Sequence, residues 1–264
     1  MIRAVFFDID GTLISMKTRV MPESCLKALY AMKEKGIRLF VASGRPPVHL
    51  QLLAEEFNAF PWDGLILLNG QYCVDAEGEV FHRQTVSQET LKELVPWLKA
   101  EADFPCIFYE LDHSYDIRFN EGMHAYLSSI GRLDQMPPVE DPERSFTHDT
   151  YQICPYMEAQ RDPEFLAHAP QMESARWSPD FADMIPAGGG KTEGIRRMLA
   201  RYGLENEEWM AFGDGGNDIG MIKAATIGVA MGNGADDVKA AADYVTADCE
   251  KDGVALACEH FKLF

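Results

Sequence analysis

Phe6-Phe7-Asp8-Ile9-Asp10-Gly11-Thr12 closes an apolar run, Ile2 to Phe7, with two carboxylates and a glycine. Its counterpart far downstream is Gly213-Asp214-Gly215-Gly216-Asn217-Asp218, which follows Trp209-Met210-Ala211-Phe212. An apolar run that stops at Gly and Asp reads as a buried strand leaving a sheet into a loop. In an open parallel sheet, ligands bind outside the carboxyl ends of the strands. Carboxylates remote in sequence can therefore meet at one sheet edge. Gathered that closely they repel unless a cation sits among them. The cation suited to an all-oxygen site is Mg2+, which commonly accompanies a phosphate group.

The bulk properties narrow the partners. The 264 residues are 47% apolar and 25% charged, with a formal charge of -18. That composition supports a real core in one large or two modest domains. The charge argues against nucleic acid and anionic membranes as main partners, and an anionic substrate would need local positive charge at its site. No apolar stretch reaches the eighteen or so residues that span a bilayer. Asp8 and Asp10 interrupt the only early apolar run, so no secretory pattern is expected. Cys25, Cys73, Cys106, Cys154, Cys249 and Cys258 are scattered without a C-x-x-C pair. They read as free buried thiols in a reducing cytosol, and a cytoplasmic protein is expected. The histidines show no ligand spacing.

Strand and helix signals alternate at both ends of the chain. Arg3 to Phe7, Arg38 to Ala42 and Leu65 to Leu68 are predicted strands. Pro22 to Lys35 is a predicted helix stopped by Gly36, and Pro46-Pro47 opens another. Tyr72 to Val74 and Val80 to Arg83 read as a hairpin. The character changes near Gln84. A helix from Ser87 to Ala100, despite Pro96, and one within Arg118 to Ile130 are expected there. Strands are expected at Tyr151–Cys154, Ala175–Trp177 and Phe181–Ile185, and a surface loop at Pro137–Arg144. After Gly188-Gly189-Gly190 the alternation resumes: helix 191–202, strand 209–212, helix 218–224, strand 227–231, helix 235–242, strand 244–246 and helix 253–261. This pattern implies an α/β protein with one doubly wound, mostly parallel, Rossmann-like sheet. Residues 1–83 and 188–264 form its core, and residues 84–187 form an inserted α/β domain.

Each motif alone has an ordinary structural explanation. An Asp-Gly turn at a strand end is common, and Ser43 before Gly44-Arg45 could simply cap a helix. A hydroxyl and backbone amides at a helix start are equally a phosphate seat. Gly190-Lys191-Thr192 imitates the end of a nucleotide P-loop, but the position that demands the first glycine is Ile185. A dinucleotide fingerprint also fails, because Gly213-x-Gly215 and Gly232-x-Gly234 are followed by Asp where the third glycine belongs.

In their order, however, the Asp-x-Asp-Gly-Thr, strand-Ser, Lys and Gly-Asp-Gly-x-Asn-Asp elements resemble the haloacid dehalogenase-like hydrolase superfamily. With an insertion between Ser43 and Lys191, the chain looks like the Cof-type sugar-phosphatase subgroup, whose members carry a large α/β cap. That family often has Ser before the motif lysine; here Gly190 stands there. The resemblance implies a Mg2+-dependent phosphatase of small phosphorylated metabolites. Asp8 would be the nucleophile that becomes an aspartyl phosphate. Asp10 would protonate the leaving oxygen and later activate water. Mg2+ would lie between Asp8, the backbone carbonyl of Asp10, and Asp214. Ser43 and Lys191 would grip the phosphoryl oxygens, with Thr12, Gly44, Arg45 and Asn217 adding phosphate or substrate contacts. Asn217 and Asp218 would hold metal waters and orient Lys191. Crowding by negative charge is expected to raise the Asp10 pKa. Two other readings of the same motifs are a phosphosugar mutase and a non-catalytic phospholigand sensor. The intact Asp8 and Asp10 pair argues against the sensor. The scattered basic residues of the insertion (Lys92, Lys99, Arg118, Arg132, Arg144, Arg161, Arg176) give a mutase no visible second phosphate site.

Overall fold

The computed structural model describes residues 1–100, 104–129 and 131–264. In chain order the first elements are β1 (Ala4–Phe7), α1 (Glu23–Glu34), β2 (Arg38–Ala42), α2 (Glu55–Ala59), β3 (Gly64–Leu67), β4 (Tyr72–Asp75) and β5 (Val80–Arg83). Next come α3 (Gln88–Ala100), β6 (Cys106–Tyr109), β7 (Ser114–Asp116), α4 (Glu121–Ser129), β8 (Gln152–Pro155), α5 (Asp162–Ala167), β9 (Met172–Ala175) and β10 (Asp183–Pro186). The last are α6 (Gly190–Arg201), β11 (Trp209–Gly213), α7 (Ile219–Ala224), β12 (Ile227–Ala230), α8 (Asp236–Ala241), β13 (Tyr244–Val245) and α9 (Gly253–His260). No helix among the described residues is long and apolar enough to cross a membrane.

The chain divides into two compact units. The first holds residues 1–45, 49–83 and 190–264. Its eight strands run in the order β13-β12-β11-β1-β2-β3-β4-β5. Strands β13 to β3 are parallel, and the hairpin β4–β5 adds an antiparallel edge. The central strands read as continuous apolar runs because both faces are covered. Val5 and Phe7 of β1 enter one core cluster with Leu29, Met210 and Val254. Ala4 and Phe6 enter the other with Phe40, Ile195 and Met221. Phe6 stacks on Phe40 with ring centroids 4.8 Å apart, and Phe7 on Phe212 at 5.0 Å. Wide rings on both faces of β1 lock the register that sets where Asp8 emerges.

The second unit holds residues 46–48 and 84–189. Among its described residues, five antiparallel strands run β7-β6-β8-β10-β9. Leu91, Leu94, Val95 and Leu98 of α3 pack on Phe108, Tyr115, Ile153 and Met184 of the sheet. Pro96 lies inside α3, which continues through it to Ala100.

Several local expectations shift. The segment opened by Pro46-Pro47 is a 3-10 helix over Pro47–Leu52 rather than an α-helix. The strand expected at 175–177 lies at Met172–Ala175, because antiparallel pairing with β10 matches Asp183 to Ala175 and Pro186 to Met172. The 137–144 loop carries a Val139 bridge to Asp116, and Pro142 starts a 3-10 turn capped by Asp141. Strands β6 and β7 and helix α5 went unpredicted. The helix expected within 118–130 spans Glu121–Ser129, and Ile130 lies outside the described residues. All six cysteines are buried and free.

Candidate active site

Adjacent parallel strands deliver the chemistry to one edge of the first unit. In β1, Phe7 pairs with Phe212 of β11 and Val41 of β2. The residues that follow these strands are Asp8, Asp214 and Ser43, so all three leave the sheet at its carboxyl side. Asp8 N donates to Phe212 O (3.0 Å) and Ser43 N to Ile66 O (2.8 Å), continuing the ladder to the residues that bear function. Gly11 then turns the chain with φ +84°. A Cβ there would lie 2.1 Å from Asp214 Oδ2, so only glycine lets the two loops close on each other.

Lys191 enters from the first turn of α6 and is 2% exposed. Its ammonium donates to Asp8 Oδ1 (2.6 Å) and Asp218 Oδ1 (2.6 Å). Asp218 Oδ2 accepts from the backbone N–H of Asp214 (3.0 Å) and Gly215 (2.9 Å), which sets the Gly-Asp-Gly loop. Gly190 precedes the lysine with φ +88°, a conformation that favours glycine over the serine usual in the family motif. Thr12, expected at the phosphate, instead directs its hydroxyl to Asp214 Oδ1 (3.1 Å). Ser43 is buried, and its Oγ accepts from Arg45 N (3.2 Å). Asn217 Nδ2 donates to Asn69 Oδ1 (2.9 Å).

Asp8, Asp214 and Asp218 each offer a carboxylate oxygen, and these atoms lie within 4.8 Å of one another. Three carboxylates meet one ammonium there. Burial raises the Asp8 pKa; Lys191 opposes the rise, and Asp218 and Asp10 add to it. Burial likewise raises Asp214, helped by Asp8 and Asp218. Burial works against the Lys191 charge, but Asp218 and Asp8 outweigh it and hold the lysine protonated. The excess of anionic oxygens suits a hard divalent cation such as Mg2+.

Asp10 corrects an expectation. Its carboxylate turns to Arg45, whose Nε and second terminal nitrogen donate across 2.6 and 2.8 Å, with Arg19 3.9 Å away. Burial would raise the Asp10 pKa, but the Arg45 and Arg19 charges outweigh it and lower the carboxyl below its ordinary value. The expected negative crowding is real at Asp8 and Asp214; at Asp10 a bidentate guanidinium replaces it.

Three site residues escaped the sequence reading. Asn233 Nδ2 donates to Gly11 O (2.9 Å) and Asp214 Oδ2 (3.2 Å), and its Oδ1 accepts from Cys249 N (2.8 Å). Asn69 is fully buried beside Asn217. Both follow apolar strands and neighbour glycines, the signal that marked Asp8 and Asp214. Arg19 carried no such signal.

The chain is similar to known proteins of one family. A family model described as haloacid dehalogenase-like hydrolase matches residues 5–257. YkrA of Bacillus subtilis (strain 168) is 30% identical over 262 residues, covering 99% of this chain and 98% of that protein. The 5-amino-6-(5-phospho-D-ribitylamino)uracil phosphatase YcsE of the same organism is 26% identical, covering 99% and 96%. Among solved structures, the HAD subclass IIB sugar phosphatase BT4131 superimposes with a TM-score of 0.87 at 37% identity, covering 99% of this chain and all of that one. BT1666 from Bacteroides thetaiotaomicron, a phosphatase of the same superfamily, gives 0.90 at 32%, covering 100% and 96%.

Proposed function

This chain belongs to the haloacid dehalogenase-like hydrolases and is a phosphatase of that family, and we propose that it hydrolyses small phosphorylated metabolites, sugar phosphates foremost, with Mg2+ and an aspartyl-phosphate intermediate. The observation that carries the reading is the Asp8 carboxylate at the end of β1, held by the buried Lys191 ammonium, with Asp10 two residues beyond.

Asp8, Asp214 and the backbone carbonyl of Asp10 would hold Mg2+, with Asp218 behind them. Bound there, the ion would supply positive charge that offsets repulsion between Asp8 and the incoming phosphate. One Asp8 oxygen attacks phosphorus, and the bond to the leaving oxygen breaks. Lys191 and Ser43 hold the phosphoryl oxygens where negative charge collects, with the Gly44 amide beside them. Thr12 and Asn233 orient Asp214; Asn217 is oriented by Asn69. Asp10 gives its proton to the leaving oxygen, then takes one from the water that attacks the Asp8 phosphate. For the first of these steps Asp10 must carry a proton, so the Arg45 pair must loosen as substrate arrives. An anionic substrate offers Arg45 a second partner and permits that.

We read residues 84–187 as the cap that selects the leaving group. The sugar-phosphate preference follows the likeness to BT4131, a sugar phosphatase. The test is phosphate release across a panel of hexose, pentose, nucleotide and vitamin phosphates, with Mg2+ and with chelator. Release led by sugar phosphates and lost in chelator supports the reading. Release unaffected by chelator, or led by nucleotides, overturns the corresponding part.

A further inference from the structure

Three cations of the first unit come together at the amino edge of its sheet, opposite the site of Asp8. Arg3 stands immediately before β1, Arg38 begins β2, and Lys33 sits in the last turn of α1. With Gly36, Ile37, Asp63 and Leu204 they line a cavity of about 290 Å3. Arg3 and Asp8 are five residue steps apart along extended chain, roughly 16 Å at the rise of a strand. The cavity is thus a separate place from the site of Asp8.

Asp63 accounts for part of this charge. It is 7% exposed, and its carboxylate accepts from Lys33 Nζ (2.7 Å), a terminal nitrogen of Arg38 (3.1 Å) and Leu39 N (2.7 Å). The Arg38 guanidinium also lies 4.6 Å from the centroid of the Tyr202 ring. These contacts hold Lys33 and Arg38 at the cavity wall in fixed positions. Three cations still face one carboxylate, and Arg3 makes no ion pair among the described residues. The end of α1 does not require them either. Its carbonyls at Ala31, Met32 and Lys33 already accept from Lys35 N, Ile37 N and Gly36 N. In a chain of charge -18, such a cationic surplus in a concave place is unexpected from composition. Excess positive charge equal to a phosphoryl dianion, carried by guanidinium and ammonium groups, matches that group in sign and valence.

We propose that Arg3, Lys33 and Arg38 form a second anion site that takes a phosphoryl dianion at the amino edge of the core sheet. Inorganic phosphate and a phosphomonoester share that chemistry. Asp63 positions two of the cations, and Arg3 supplies the charge that makes the site attractive to an anion.

The experiment is a titration of the 15N-labelled full chain in chelator with inorganic phosphate and, separately, with a hexose 6-phosphate, at constant ionic strength set by chloride. Saturable shifts of the Gly36 and Ile37 amides are expected, separate from any at Ser43 and Gly44. Arg3→Gln should weaken them about tenfold, the scale of one charged hydrogen bond, and Arg3→Lys should restore part of the loss. Arg3 is exposed, so neither variant should lower the melting temperature. Binding of both anions assigns recognition to the phosphoryl group alone; binding of one assigns it to that source, and each result supports the site. Shifts only at Ser43 and Gly44, shifts that chloride reproduces, or shifts that Arg3→Gln leaves unchanged would overturn it.

Discussion

Lys191 Nζ donates to Asp8 Oδ1 across 2.6 Å, joining the first turn of α6 to the end of β1. The pair is buried, and Lys191 also serves Asp218. One ammonium therefore compensates two buried carboxylates. Lys191→Met should cost about 3–5 kcal/mol of stability at pH 7.5, because it strands two buried anions. Acid should return part of that loss, since Asp8, whose pKa burial raises, can then take a proton. Urea unfolding at pH 7.5 and 5.5 measures both effects; equal losses at the two pH values would contradict the argument.

Asp8→Asn should abolish phosphate release and keep the fold, because the amide is neutral and its carbonyl oxygen still reaches Lys191. A phosphate assay with circular dichroism checks this. Turnover within tenfold of the parent protein would remove Asp8 from the nucleophile's role.

Asp10→Asn should separate the two half-reactions. A nitrophenolate leaves without a proton, so p-nitrophenyl phosphate should still phosphorylate Asp8. Water attack then lacks its base. Rapid mixing should show a burst of nitrophenolate close to one per enzyme, followed by a stall. For an alkyl phosphate no burst is expected. Steady turnover of both substrates would refute the assignment.

Divalent cation should change how stability depends on pH. In chelator, Asp8 and Asp214 have pKa values raised above those of the unfolded chain. Folding then binds protons, so their contribution is full below about pH 4 and lost as pH rises toward about 8, the value at Asp214. Saturating Mg2+ should remove this fall and raise the melting temperature most at pH 8. Asp214→Asn should raise the melting temperature in chelator and abolish the Mg2+ response. A melting temperature in chelator that rises from pH 6 to 8 would be the wrong sign.

Asp116 offers a test in the second unit. It is 1% exposed on β7, and burial raises its carboxyl to about 6. Its ionisation opposes folding as pH rises from about 4 through about 6. Asp116→Asn should stabilise the protein by about 1–2 kcal/mol at pH 8 and by little at pH 4.5. Denaturant unfolding at the two pH values decides the sign.

Local patterns along the chain are enough to give the architecture of the first unit and the places where chemistry leaves it. Apolar runs ending in Asp-x-Asp-Gly, Ser-Gly-Arg and Gly-Asp-Gly are local signals, and the parallel sheet turns each into a strand end on one edge. Gly11 and Gly190 were visible as glycines, and their positive φ gives the reason. The partners of these residues come from the folded sheet. Asp10 is drawn to Arg45, 35 positions away, because β1 and β2 are neighbours, and that reversed the expected direction of its pKa. Asn69 meets Asn217 across 148 positions, and Asn233 meets Asp214 across 19, through loops whose separate signals say nothing of pairing. Short strands β6 and β7 escaped because their order comes from sheet neighbours and α3 packing rather than from a long apolar period. The cluster of Arg3, Lys33 and Arg38 is equally invisible along the chain. Hydrophobic period and turn chemistry act over a few residues. Which charge faces which is set by strand order, a property of the whole sheet.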